Sequence, residues 1–175
     1  MLFPHVEHSW SRRVCGVSRM RRAEREISDR REMERILEEA EVGRLGTSVN
    51  DEPYVVPVSF AYRDGKILFH CARQGKKLDN VSKNPRVCFE VDEGALIPKD
   101  KPCDFSVKYR SVIAYGNATV HTDQQRMLHT LKALTDKYAP SGLSRQLTND
   151  TVASFKDLAV VEITVSEMTG KRSPP

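Results

Sequence analysis

The stretch from Tyr62 to Val91, YRDGKILFHCARQGKKLDNVSKNPRVCFEV, constrains this chain more tightly than any other. It reads as strand, helix, strand. Arg63-Asp64-Gly65 predicts a turn, since Asp suits a turn start and Gly reaches positive φ at no steric cost. Ile67, Leu68 and Phe69 form a short apolar run suited to a mostly buried strand, which ends at His70-Cys71-Ala72. Gly75-Lys76-Lys77 then opens a helix with Leu78 and Val81 on its inner face. Asn84-Pro85 closes that helix, because the residue before a proline is pushed out of the α region. Val87, Phe89 and Val91 alternate as a second strand. The helix start therefore carries two lysines just after a buried strand. Free backbone N–H groups, the positive end of the helix dipole and two ammonium groups would suit a phosphate. The pattern equally suits a solvated turn with two ordinary lysines, and it leaves both readings open.

At 175 residues the chain suits one domain, large enough to bury about 70% of its unfolded surface. No apolar run approaches the ~20 residues that a membrane helix needs, so no membrane partner is expected. The net charge of +4 includes Arg12, Arg13 and Arg19 set against Glu7, so residues 20–175 keep only about +2. That is too weak to argue for nucleic acid. Cys15, Cys71, Cys88 and Cys103 show no CxxC pairing. Without a signal peptide they read as reduced thiols of a cytoplasmic protein.

Residues 1–19 hold neither a strand nor a helix period, and Met20-Arg21-Arg22 resembles a natural chain start. They are expected to be a flexible extension preceding a domain that spans residues 20–175. His5, His8 and Cys15 match no ligand framework, and no metal is expected there. Asp29 to Val42 predicts a helix, with Asp29 as cap, Glu32 completing a capping box, Met33, Ile36, Leu37 and Ala40 as apolar stripe, and Gly43 as its end. Leu45, Thr47 and Val49 alternate as a strand, and Asn50 to Pro53 turns into a strand over Tyr54–Tyr62. Pro57 inside that strand marks an edge, a bulge or a ligand-facing position.

Gly94–Val107 reads as an irregular loop. Lys108–His121 reads as a long strand with Tyr109, Ser111, Ile113 and Tyr115 on one face and a bend or bulge at Gly116. Thr122-Asp123 caps a helix with the stripe Met127, Leu128, Leu131, Leu134 and Tyr138. A short helix around Asp150–Phe155 and a last strand over Leu158–Val165 follow, with Met168 onward as tail. Strands in hairpin spacing with helices at the ends predict an α+β, mainly β chain built as a small antiparallel barrel.

Four segments carry a family resemblance: Met20-Arg21-Arg22 with Glu24 to Ile27, Pro53 to Val58, Phe69-His70-Cys71 with Gly75 to Leu78, and Tyr109 to Val112 with Gly116. In this order and spacing, from about Met20 to Lys171, the chain resembles the flavin-binding split-barrel proteins. These are the pyridoxamine 5'-phosphate oxidase-like proteins, and within them it is most similar to the 5-nitroimidazole-resistance (Nim) branch.

The resemblance implies a six-stranded antiparallel split β-barrel with flanking helices, a homodimer, and two FMN molecules held between subunits. It implies that Lys76 and Lys77 hold the FMN phosphate, that Pro57 and Val58 lay their backbone along the ring, and that His70 and Cys71 border it. Ser111 would reach the flavin from the partner chain. The implied activity is an oxidoreductase passing electrons from a reduced nicotinamide nucleotide through FMN to a nitroaromatic or similar small acceptor. His70 is the candidate proton donor, with a packing role at the flavin edge as its alternative. The chain lacks the Arg-rich carboxyl-terminal segment of oxidases that act on pyridoxamine phosphate, which argues against that substrate. Two rival readings remain: a non-catalytic haem- or flavin-binding barrel with His70 as axial ligand, and an interaction protein using its basic arm on an anionic partner.

Overall fold

A computed structural model of the chain describes residues 21–98 and 106–174. The elements in order are β1 (Glu26–Ile27), α1 (Arg30–Glu39), β2 (Val42–Val49), β3 (Glu52–Ser59), β4 (Ala61–Arg63) and β5 (Lys66–Ala72). Then come α2 (Lys76–Lys83), β6 (Arg86–Ile97), β7 (Ser106–His121), α3 (Gln124–Tyr138), α4 (Asn149–Ala153) and β8 (Leu158–Arg172). The strands form one antiparallel sheet in the order β3-β2-β6-β7-β8-β5-β4, with β1 pairing onto β8. The two ends of this order, β3 and β4, are joined in sequence through Phe60 alone. The sheet must therefore curl until its edges meet, which makes it a barrel. The expected class and barrel hold, but among the described residues there are eight strands rather than six. The extra two are β1, of two residues, and β4, of three, which are too short to announce themselves by alternation.

The curled sheet encloses Phe60, Phe69 and Phe89, all fully buried, with Leu45, Ile67, Val91, Val112 and Val161 around them. Phe60 and Phe89 meet edge to face with centroids 4.8 Å apart. Each such side chain contributes roughly 1.5–3 kcal/mol by burial. Both short hairpin turns use positive φ at both central residues, Asn50-Asp51 and Asp64-Gly65, which matches the twist of the flanking strands.

Four expectations change. Helix α1 ends at Glu39, and Gly43 lies inside β2 instead of ending the helix. An added Cβ on Gly43 would sit 2.2 Å from the Phe89 ring, so this glycine is set by the core and not by a helix cap. Asp29 does cap α1, accepting from Arg31 N, but Glu32 bonds Arg172 at 2.5 Å instead of closing a capping box. Residues 94–97 and 106–107 are strand, not loop, because β6 and β7 pair out to Ile97 and Ser106. Likewise β8 continues through Met168 to Arg172, held by pairing with β7 on one side and β1 on the other. The expected bulge at Gly116 is present as a register shift between Tyr115 and Gly116. The expected extension, residues 1–19, and Cys103 lie outside the described residues. No described helix is long and apolar enough to cross a membrane.

Candidate functional site

Helix α2 starts where β5 leaves the sheet, and its first turn is the centre of the site. Gly75 caps it at φ 137°, a conformation that side chains rarely adopt, and no side chain caps the turn. The Gly75 carbonyl accepts from Leu78 N and Asp79 N, so the amides of Lys76 and Lys77 have no partner within the helix. Space beside Gly75 is open, with nothing within 4 Å of where a Cβ would stand. Leu78 and Val81 are buried below, as their spacing predicted.

The two lysines differ. Lys76 Nζ lies 5.3 Å from the centroid of the Tyr54 ring on β3, an interaction that draws on its charge. Lys77 is the less exposed of the two and makes no hydrogen bond or ion pair among the described residues. The helix is fastened in place by a polar chain: Asn80 Nδ2 donates to Thr47 Oγ1 at 2.9 Å, and Thr47 Oγ1 donates to the Tyr54 carbonyl at 3.3 Å. Asn80 and Thr47 are both buried, so leaving this chain unmade would cost about 1–3 kcal/mol. Sequence reading missed Tyr54, Thr47 and Asn80, because their meeting depends on a register that no local pattern reveals.

His70 and Cys71 are adjacent in β5 and so point to opposite faces. Cys71 turns inward with Ile67 and Phe69. Burial pushes its thiol pKa up, and the nearby Lys77 charge partly counters this. That coupling places Cys71 and Lys77 in one neighbourhood. His70 turns outward, on the side where Leu68 packs against α3. Its surroundings disfavour the charged imidazole and lower its pKa.

Pro57 and Val58 lie on β3, the edge of the sheet order. Pro57 is exposed opposite Arg44, and Val58 is partly buried opposite Gly43. Of the three positions open for Pro57 the edge is the one observed, and an edge strand leaves backbone groups free to face a ligand. Tyr54, under Lys76, is three residues from Pro57, or roughly 10 Å along the strand. Strand alternation puts Tyr54 on the half-buried face of β3 with Val56 and Val58, so the lysine seat adjoins that face while the Pro57 side chain points to the other.

Ser111 does not join them. It is half-buried on the outward face of β7 with Tyr109, Ile113 and Tyr115, while Val112 and Ala114 fill the interior. Ser111 pairs with Lys171 of β8, whereas His70 pairs with Val160 of the same strand. Eleven residues along β8 amount to roughly 36 Å of strand before bending. The two positions therefore lie far apart along β8. Between Pro57 and Ser111 the outer face carries an unforeseen cluster, Arg44 with Glu90 at 3.1 Å and Asp92 at 2.5 Å. Burial, then the Asp92 charge, raise the Glu90 pKa against the pull of Arg44.

The profile of the family described as Pyridoxamine 5'-phosphate oxidase matches residues 29–172. Among solved structures, the chain is similar to a protein described as a 5-nitroimidazole antibiotic resistance protein from Bacteroides thetaiotaomicron. The two are 24% identical with a TM-score of 0.70, over 83% of this chain and 85% of that one. It is also similar to a flavocytochrome from Azotobacter vinelandii, at 19% identity and a TM-score of 0.74 over 89% and 72% of the two chains. A FAD-binding protein from Mesorhizobium loti is 24% identical with a TM-score of 0.61, over 86% and 98%. At these identities the likeness concerns the fold.

Proposed function

The chain belongs to the pyridoxamine 5'-phosphate oxidase family, and from that premise we propose that it is a flavin-dependent reductase with its flavin phosphate at the start of α2. One observation carries the reading: the open, glycine-capped start of α2 holds two lysines and the backbone amides of Lys76 and Lys77, which have no partner within the helix. These groups fit a phosphate, since each donates and none accepts. Lys77 and the amides of Lys76 and Lys77 would hold the phosphate end. The β3 edge at Pro57 and Val58 would lie along the ring, and Cys71 would pack beneath the seat as a small apolar group.

A bound flavin supplies hydride and one-electron chemistry that side chains lack. The flavin is read as FMN, whose single phosphate needs only this seat. Reduced nicotinamide nucleotide is the proposed donor and a nitroaromatic or similar small molecule the acceptor. His70, on the face of β5 opposite Cys71, would hold a proton for an acceptor lying on that outer side. The site would be completed by a second copy of the chain in a homodimer, a reading supported by the eleven-residue separation along β8 between the partners of Ser111 and His70. Tyr109, Ile113 and Tyr115 offer aromatic and apolar surface of the kind enriched at interface cores.

A second reading is haem binding with His70 as axial ligand. It is favoured by the outward direction of His70 and by burial that lowers its pKa, since neutral imidazole is the form that ligates metal. The absorption spectrum of the purified protein separates the two. The flavin reading predicts blue absorption with green fluorescence that is released on denaturation. An intense Soret band without fluorescence would support haem in its place.

A further inference from the structure

We propose that the cleft between α3, α4 and the end of β5 binds an adenosine phosphate group beside the flavin phosphate seat. The position relative to flavin rests on the reading above, but the chemistry of the cleft does not. Its volume is about 410 Å³, within the range of small-molecule pockets, and Arg73, Thr122, Gln124, Met127, Phe155 and Lys156 line it.

The charge there is one-sided. Arg73 donates from Nε to the Leu158 carbonyl at 3.2 Å, which leaves its terminal guanidinium nitrogens free for a ligand. Lys156 makes no hydrogen bond or ion pair among the described residues. No carboxylate lines the cleft. Asp123, the acidic neighbour at the start of α3, spends its side chain on the Arg126 amide at 2.9 Å. Two cations without a carboxylate partner among the described residues fit a phosphate, and the fork of Arg73 matches its oxygens.

The apolar part is equally directed. Met127 and Val152 are buried and pack onto Val160, forming a firm floor. Phe155 stands 42% exposed at the rim, a large aromatic face left uncovered. A nucleobase stacks on such a ring, and the Gln124 amide can pair with its donor and acceptor edge. Arg73 is three residues from Lys76, a span of roughly 10 Å if extended, so the two anion seats are neighbours. The group could come from either of two sources: the distal half of a dinucleotide flavin, or the adenosine end of the nicotinamide donor.

The experiment is equilibrium dialysis of the full chain with 5'-AMP and with adenosine, in the presence and absence of FMN. Binding of 5'-AMP that exceeds adenosine, and that weakens about tenfold in both Lys156→Ala and Arg73→Ala, is the expected result. Lys156 is exposed and supports nothing in the fold, so its variant keeps the test clean if Arg73→Ala misfolds. Absence of 5'-AMP binding, or equal affinity in wild type and Lys156→Ala, overturns the proposal. If FMN fails to bind while 5'-AMP still does, the flavin reading falls and the cleft stands. FAD binding at least tenfold tighter than FMN identifies the dinucleotide source; equal FAD and FMN, with 5'-AMP competing against NADPH, identifies the donor.

Discussion

Two charged regions on this barrel behave oppositely. On the outer face of β5 and β8, Glu162 is 9% exposed and is answered from within the chain by Lys66 at 2.7 Å and Arg126 at 3.3 Å. At the start of α2 and in the neighbouring cleft, Lys77, Arg73 and Lys156 have no carboxylate partner among the described residues. In the first region the fold supplies the counter-charge, so the charges serve stability. In the second it does not, which is the pattern expected where a ligand supplies the counter-charge. Substitutions should therefore separate cleanly, with stability effects around Glu162 and affinity effects around Lys77.

The largest expected effect concerns assembly. Flavin-loaded protein is predicted to run at twice the chain mass in size exclusion with light scattering, read at the flavin absorption band. A flavin-loaded species of single-chain mass would sink the shared site.

Next comes Lys77→Ala. It should weaken flavin binding by about 1.5–3 kcal/mol, the worth of a charged contact, and leave the flavin-free melting temperature unchanged. Lys76→Ala should cost less, because that ammonium already faces Tyr54. If Lys76→Ala proves the more damaging of the two, the deeper-set lysine has been misassigned.

Glu162→Gln should show the opposite profile, with a stability loss of about 1–3 kcal/mol in urea unfolding and flavin affinity intact. Burial alone would raise the Glu162 pKa, but Lys66 and then Arg126 bring it below the ordinary 4.5. A carboxylate depressed in the folded state stabilises fully above its unfolded value and loses that contribution as pH falls through the folded one. Wild type should thus lose stability below about pH 4.5, where Glu162→Gln has a flatter profile. Parallel acid limbs in the two proteins would count against the cluster as a stabilising unit.

Much of the second region was legible in the sequence, and little of the first. The α2 seat is local: a buried run, a glycine, two lysines and an Asn-Pro stop all fall within Ile67 to Pro85, so turn and helix chemistry reveal it. Glu162 instead meets Lys66 across paired strands and Arg126 from a helix, contacts that depend on register and on how α3 crosses the sheet. For the same reason Tyr54 went unrecognised as the partner of Lys76, and Arg73 and Lys156, 83 residues apart, gave no joint signal. His70 and Cys71 were read as a pair bordering one ligand. Strand alternation sends them to opposite faces, with only Cys71 near Lys77. Long strands were under-read at 94–97 and beyond Val165 because glycines and charges interrupt their alternation, and pairing with β7 and β1 overrides that weak local preference.

The smallest expected effect is that of shortening. A chain starting at Met20 loses no periodic apolar segment, so its melting temperature and flavin content should match those of the full chain. A marked drop in either would mean that residues 1–19 dock on the barrel.

The central claim is that the open start of α2 receives a phosphate and not merely a ring. Fluorescence titration of the flavin-free protein with FMN and with riboflavin, which differ only in that phosphate, tests it directly. The account predicts FMN binding at least tenfold tighter than riboflavin in wild type, with most of that difference erased in Lys77→Ala. Equal affinities for FMN and riboflavin in wild type would contradict it.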